Sequence, residues 1–257
     1  MCRLLGYAAR GEAALADLIG DEGLRDFTAL SRLHADGWGM AWHEDSEPVI
    51  RKSPEPGDQP EFEKLARQPL GDMGLVHLRW ATPGLSVEER NSHPFRHGPY
   101  VLAHNGAIHP QDRLGEMLPP AWEARLEGTT DSERYFLLIM SRLAEHGGDM
   151  VAAIADAAAD IDNRFQPNSL NAMLLSPDKL YAVSWYHHSK IPEAKLRASG
   201  YTDPAEIAAY FDLAYRVSGN AVVVASSGWP QPEWTPVPNR HVLVVDRATV
   251  QAQILPL

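Results

Sequence analysis

Met1-Cys2-Arg3-Leu4-Leu5-Gly6-Tyr7 opens the chain, and Cys2 is its single cysteine. Removal of Met1 makes Cys2 the N-terminal residue, which then carries two reactive groups at once. The thiol is a nucleophile, and the free α-amine is a base with an ordinary pKa of about 8, close to that of the thiol. Such a residue needs no neighbouring histidine to take its proton. The plainer reading makes Cys2 a small buried hydrophobe on a first strand, as free cysteines commonly are. Residues further along the chain decide between the two.

The composition sets outer bounds. The 257 residues can bury a sizeable core, and 44% hydrophobic with 22% charged residues is an ordinary globular balance. One cysteine excludes an internal disulfide framework and a cysteine-rich metal site, so a reducing cytoplasm is the expected location. No basic and apolar leader pattern and no long apolar run stand in the sequence, and a Cys2 so near the start argues against a cleaved leader. A net charge of −11 disfavours nucleic acid and anionic membrane surfaces as partners.

Strand patterns are read at 3–8, 39–42, 74–78, 100–103, 172–175, 180–185, 221–225, 242–245 and 250–255. Ser176-Pro177-Asp178-Lys179 and Asp246-Arg247-Ala248-Thr249 read as hairpin turns between adjacent strands. Ser53 to Pro60 is a loop by its breakers. A helix is predicted after Thr130. Thr130 with Glu133 fits a capping box, and Tyr135, Phe136, Ile139, Met140 and Leu143 repeat at helical spacing. Gly147-Gly148 ends that helix and 150–161 restarts as a second one. Many strands with paired helices imply stacked sheets covered by helices, an α+β arrangement.

Four segments place polar residues at the ends of apolar runs. In His77-Leu78-Arg79-Trp80-Ala81-Thr82, Arg79 offers a planar fork suited to a carboxylate, or a plain surface ion pair. In Asn91-Ser92-His93-Pro94-Phe95, His93 is read as orienting the loop rather than as a catalyst. In His104-Asn105-Gly106, the Asn105 amide and the Gly106 N–H suit an oxyanion hole, although Asn-Gly is also a simple turn. In Thr129-Thr130-Asp131-Ser132-Glu133, Asp131 lies in a first helical turn, where the dipole alone explains an acid. It is equally suited to hold a substrate ammonium.

Taken in order, these segments with Cys2 resemble the glutaminase domain of class II glutamine amidotransferases. His34-Ala35-Asp36-Gly37-Trp38-Gly39 is similar to a segment of the stand-alone members. The resemblance covers roughly residues 2 to 133. It implies a four-layer αββα sandwich of the N-terminal-nucleophile (Ntn) hydrolase type, with 1–257 as a single glutaminase domain. It further implies that Cys2 attacks the side-chain amide of glutamine, that Asn105 and Gly106 stabilise the oxyanion, and that Arg79 binds the α-carboxylate. Asp131 would bind the α-ammonium, and Trp80 and Thr82 would shape the pocket. No cofactor and no metal are implied.

Two substrates fit that reading. Glutamine would be split to glutamate and ammonia, with a separate synthase subunit as taker of the ammonia. The alternative is a γ-glutamyl conjugate, as in the hydrolase of the ergothioneine pathway. The motifs place glutamine first. Three rivals lie outside it: a catalytically silent glutamine-binding subunit, an Ntn acylase on another amide, and a metal-dependent hydrolase. The last is disfavoured because no His-Glu-x-x-His run is present and because His187 and His188, as neighbours on a strand, would face opposite ways. Trp185 to His188 reads either as an aromatic loop rimming the pocket or as a strand end. Gly228, in Ala225-Ser226-Ser227-Gly228-Trp229-Pro230, departs from the Ser-Glu-Pro of several stand-alone relatives.

Overall fold

The computed structural model describes residues 2–44, 47–80 and 88–257, with every side chain among them except those of Gln111 and Asp112. Thr82 lies outside the described residues. The strands, in chain order, are β1 (Arg3–Ala13), β2 (Trp38–Glu44), β3 (Glu47–Ser53), β4 (Gly71–Leu78), β5 (Phe95–His97), β6 (Tyr100–Gly106), β7 (Leu170–Leu175), β8 (Lys179–Ser184), β9 (Leu213–Ser218), β10 (Ala221–Ser226), β11 (Thr235–Val237), β12 (His241–Asp246) and β13 (Ala252–Pro256). The helices are α1 (Leu15–Ala29), α2 (Pro60–Ala66), α3 (Gln111–Gly115), α4 (Pro120–Glu123), α5 (Asp131–Glu145), α6 (Met150–Phe165), α7 (Glu193–Ala198) and α8 (Pro204–Ala208).

Among the described residues the strands form two sheets, ordered β11-β9-β10-β1-β4-β2-β3 and β13-β12-β8-β7-β6-β5. Every pairing is antiparallel, and β1 runs between β10 and β4 at the middle of its sheet. Alternation along β1 shows how the layers arise. Leu4 and Ala8 enter the core between the sheets, while Leu5 and Tyr7 face the helices. Burial on both faces explains why Leu4 to Ala9 shows no alternation of apolar and polar residues.

Three apolar cores result. One lies between the sheets and holds Leu75, Val101, Met173, Val224 and Leu243. A second joins the first sheet to α1 and α2 through Phe27, Trp38 and Phe62. A third joins the second sheet to α5 and α6 through Phe136, Ile139, Ile154 and Ile161. The layers run helix, sheet, sheet, helix, which is the αββα sandwich expected from the sequence. No helix among the described residues is long and apolar enough to cross a membrane.

Turns and caps follow the local sequence in most places. β7 and β8 are joined at Ser176, whose N–H donates to the Lys179 carbonyl at 2.9 Å. The second hairpin turns more widely than expected. Val250, read as the start of a strand, instead has a φ of +57° and lies in the turn before β13. Thr130 caps α5 as predicted, its hydroxyl accepting the Glu133 N–H at 3.1 Å. The reciprocal half of the capping box gives way to another pairing: the Glu133 carboxylate accepts the N–H groups of Glu127 and Gly128, each at 2.8 Å. It thereby fixes the loop that leads into α5.

A fourth, smaller cluster belongs to the chain between β8 and β9. Tyr186, Leu196, Tyr201, Ile207, Tyr210 and Phe211 pack together, with Trp80 and Ile191 against them. Trp185 and Tyr186 follow the end of β8, which agrees with the strand-end reading. His187 turns to Asp162 at 2.5 Å while His188 meets the Tyr186 ring edge-on, so the adjacent histidines diverge.

Candidate active site

The sandwich brings four chain segments to one place. Cys2 precedes β1, Arg79 and Trp80 leave the end of β4, and His104-Asn105-Gly106 closes β6 in the opposite sheet. Asp131 opens α5. A single cleft is lined by Cys2, Arg79, Trp80, Gly106 and Asp131, with His104 and Asn91 among its other walls. The predicted residues Cys2, Asn105, Gly106, Arg79, Trp80 and Asp131 therefore gather in one site; Thr82 is outside the described residues.

Asn105 is the hinge of this geometry. Its side-chain oxygen accepts the Cys2 backbone N–H at 3.0 Å, while its own amide nitrogen is buried with no partner among the described residues. A buried donor without a partner is costly unless an acceptor meets it. Gly106 is demanded by packing: a Cβ there would run into the Ser169 carbonyl across the β6–β7 pairing and into the His104 ring. Close approach is needed, but toward β7 rather than only toward a ligand.

The Cys2 sulfur lies against Trp80. Its Sγ accepts the Trp80 N–H at 3.4 Å and faces the Trp80 carbonyl at 3.7 Å. Burial pushes the thiol up from its ordinary value; the Trp80 N–H, Arg79 and Arg3 all pull the other way. The indole of Trp80 meets the His34 ring edge-on at 5.4 Å and carries the Lys195 ammonium at 4.6 Å from its centroid.

Arg79 is buried, and burial lowers its pKa from the usual arginine value. Its backbone is clamped by the segment that precedes β2: Arg79 N–H donates to Gly37 at 2.8 Å, and Asp36 N–H donates to Arg79 at 3.1 Å. This is the structural meaning of the His34–Gly39 motif. Nη1 of Arg79 donates to the Asp36 carbonyl and the Ser92 hydroxyl, each at 3.4 Å. Asp131 is buried as well, and one of its oxygens accepts the Ile108 N–H at 2.8 Å. Arg79 and Asp131 thus bring a cation and a carboxylate to the cleft, both sheltered from solvent.

Three histidines complete the surroundings. Burial holds His77 and His93 well below the usual histidine range and lowers His104 too. His77 and His93 stack with ring centroids 4.2 Å apart, and His93 meets Phe95 edge-on. His93 is a packed loop residue. His104 is tied to the Ser132 hydroxyl at 2.9 Å and the Ser169 carbonyl at 3.1 Å. Since a carbonyl only accepts, Nε2 carries the proton and Nδ1 accepts from Ser132. Nothing in the sequence signals this strap between β6 and α5, because a serine in a first helical turn is unremarkable. Asn91 adds a second strap, its Oδ1 accepting the Thr129 N–H at 2.9 Å.

Similarity to known proteins points to the same family that the sequence motifs resemble. The γ-glutamyl-hercynylcysteine sulfoxide hydrolase of Mycolicibacterium smegmatis is 30% identical over 97% of this chain and 98% of its own. The Mycobacterium tuberculosis protein of the same name is 28% identical over 97% and 95%. Glutamine–fructose-6-phosphate aminotransferase of Clostridium tetani is 29% identical over 71% of this chain but 28% of its own. Among solved structures, a glutamine aminotransferase class-II domain protein from Silicibacter pomeroyi has a TM-score of 0.65 at 21% identity, covering 100% of this chain and 99% of its own. The family model for class-II glutamine amidotransferases matches residues 1–251. With that match added to the sandwich and to the gathered site, the chain belongs to the class-II glutamine amidotransferases.

Proposed function

We propose that residues 1–257 act as one glutaminase-type unit that hydrolyses a γ-glutamyl amide through a Cys2 thioester. The observation that carries this reading is the Asn105 side chain, whose oxygen accepts from the Cys2 nitrogen at 3.0 Å and whose amide N–H group is buried and unpartnered among the described residues.

Once Met1 is removed, the Cys2 amine takes the thiol proton and Sγ attacks the γ-carbonyl carbon. A carbon–sulfur bond forms as the carbonyl π pair moves onto oxygen. The Asn105 amide and the Gly106 N–H stabilise that oxyanion, a contribution of about 3–4 kcal/mol for one well-aimed donor. The tetrahedral centre collapses, the carbon–nitrogen bond breaks, and the leaving amine takes the proton from the Cys2 ammonium. Water then attacks the thioester with the same amine as base, and glutamate leaves as the thiol is restored. Arg79 binds the α-carboxylate and Asp131 the α-ammonium. Trp80, with Thr82, shapes the glutamyl pocket.

Glutamine and a γ-glutamyl conjugate present the same head to this site. The conjugate is favoured, because the hydrolases match over nearly their whole length whereas the aminotransferase matches over 28% of its own. The test is glutamate release by the processed protein from L-glutamine and from a panel of γ-glutamyl amides. Turnover of conjugates with little glutamine activity supports a self-sufficient hydrolase. Turnover of glutamine alone makes the protein an ammonia source for a separate synthase. Cys2→Ala abolishes glutamate release in either case, and a Cys2→Ala protein with full turnover would end the thioester mechanism.

A further inference from the structure

Arg3, the residue after the nucleophile, is fully buried in the middle of the molecule. Its guanidinium has an unusual set of neighbours. Nη1 donates to the Tyr210 carbonyl at 3.2 Å and, at 3.4 Å, to the carbonyl of Cys2 itself. Nη2 donates to the Tyr201 hydroxyl at 2.9 Å. The guanidinium carbon lies 4.0 Å from the centroid of the Tyr210 ring, a cation–π contact. Nε is buried with no partner among the described residues. Gly228 makes the room: it has a φ of +102°, and a Cβ there would stand 3.0 Å from that nitrogen.

Every one of these partners is neutral. No carboxylate lies at ion-pair distance from Arg3 among the described residues. Guanidinium groups carry a fixed charge, and burying one without a counter-charge is expensive. The balancing anion must therefore be one that the protein makes in use. Cys2 is the group in position to supply it, because ionising the thiol places a negative sulfur on the residue whose carbonyl Arg3 already holds.

The other groups facing Cys2 do not fill this role throughout the cycle. The N-terminal amine, as the base, alternates between neutral and charged. Arg79 is matched by the substrate carboxylate in the proposed mechanism, and Asp131 is an anion. Burial keeps the rings of His77, His93 and His104 neutral and pushes the Tyr210 phenol up, so it too stays neutral. Arg3 is the cation whose charge is neither consumed nor switched.

We propose that Arg3 is a positioning residue for the nucleophile, its guanidinium fixing the Cys2 main chain and serving as the standing counter-cation of the Cys2 thiolate. The Tyr186–Phe211 cluster then has a function beyond filling space. Tyr201 and Tyr210 come from that cluster and hold Arg3 in place, which couples the late part of the chain to the N-terminal residue. This inference rests on Cys2 being the nucleophile, so its test reads the thiol directly rather than turnover alone.

Cys2 is the single cysteine, so iodoacetamide labels one site. The alkylation rate is measured against pH for the processed wild type, Arg3→Met, Arg3→Lys and Tyr201→Phe, with melting curves to confirm folding. Arg3→Met is expected to move the midpoint of the profile upward, and labelling at neutral pH slows by about tenfold for every pH unit that the midpoint rises. The plateau at high pH stays unchanged. Arg3→Lys brings the midpoint part of the way back, and Tyr201→Phe moves it upward by less than Arg3→Met does. In turnover, kcat falls while KM holds. A folded Arg3→Met protein with the wild-type profile overturns the proposal. Should Arg3→Met fail to fold, a wild-type profile in Tyr201→Phe overturns it equally. Full turnover by Cys2→Ala would instead refute the thioester reading, which separates the two failures.

Discussion

The side-chain oxygen of Asn105 accepts the backbone N–H of Cys2 at 3.0 Å, across 103 residues of sequence and between the two sheets of the sandwich. The bond fixes where the Cys2 nitrogen points, and it leaves the opposite end of the Asn105 amide as a buried donor with no partner among the described residues. Asn105→Asp and Asn105→Ala both remove the donor and differ in the acceptor. Aspartate keeps an acceptor for the amine and loses the donor; alanine loses both. Both variants should lower kcat by roughly 100- to 1,000-fold, the usual effect of removing one oxyanion donor. KM should change little, because the donor acts mainly on the transition state. Steady-state kinetics on the best γ-glutamyl substrate decide it, and an Asn105→Asp enzyme with wild-type kcat would remove Asn105 from the oxyanion hole.

The candidate site residues are legible in the sequence because each sits where an apolar strand ends or a helix begins; each has a plain structural reading by itself, and it is their combination and order that sets them apart. Cys2 before β1, Arg79 after β4, Asn105 at the end of β6 and Asp131 at the start of α5 all follow that rule. Glu133 shows its limit. The spacing to Thr130 predicts a reciprocal capping box, yet the carboxylate accepts the N–H groups of Glu127 and Gly128 in the loop before α5. Arg3 is hidden for a different reason. Its meaning depends on Tyr201, 198 residues away, and no local pattern reports a contact of that range. β9 is obscured because half-exposed Tyr215 and Arg216 blur its alternation. α1 is obscured because Gly20, at a φ of +77°, interrupts its helical period.

Asp131 and Arg79 should act on binding rather than on chemistry. Asp131 has a second duty, since one oxygen accepts the Ile108 N–H at 2.8 Å and so pins the segment after β6. Asp131→Asn keeps an acceptor for that N–H and removes the charge, whereas Asp131→Ala removes both. Loss of a sheltered charge contact to a substrate costs about 2–5 kcal/mol, so KM should rise at least roughly 30-fold in either variant. Only Asp131→Ala should also lower the melting temperature. Arg79→Ala should raise KM by a similar factor for every substrate with a free α-carboxylate. Kinetics with substrates lacking the α-ammonium or the α-carboxylate check the assignment. Asp131→Asn should be indifferent to loss of the ammonium, and an unchanged preference for the ammonium would defeat it.

Acid should unfold this protein through its interior histidines. His77, His93 and His104 are held neutral by burial, with their folded-state pKa values below the ordinary histidine value. A base with a depressed pKa binds its proton more readily in the unfolded chain, so the sign of the effect is fixed. Their contribution to stability is fully present above the unfolded value of about 6.5 and is lost as pH falls from there toward the folded values. Each such group costs up to about 1.4 kcal/mol per pH unit in that window. The stacked pair at 4.2 Å resists a first proton especially, since a charge on either ring would meet the Arg79 guanidinium nearby. Urea unfolding at pH 7.5, 6.5 and 5.5 should show a midpoint that falls steeply below 6.5, by an amount that requires uptake of about two to three protons. Replacing the pair together, as His77→Gln with His93→Gln, should flatten the slope even if it lowers the plateau. A wild-type profile that stays level down to pH 5.5 would mean that these rings accept protons without cost in the folded state.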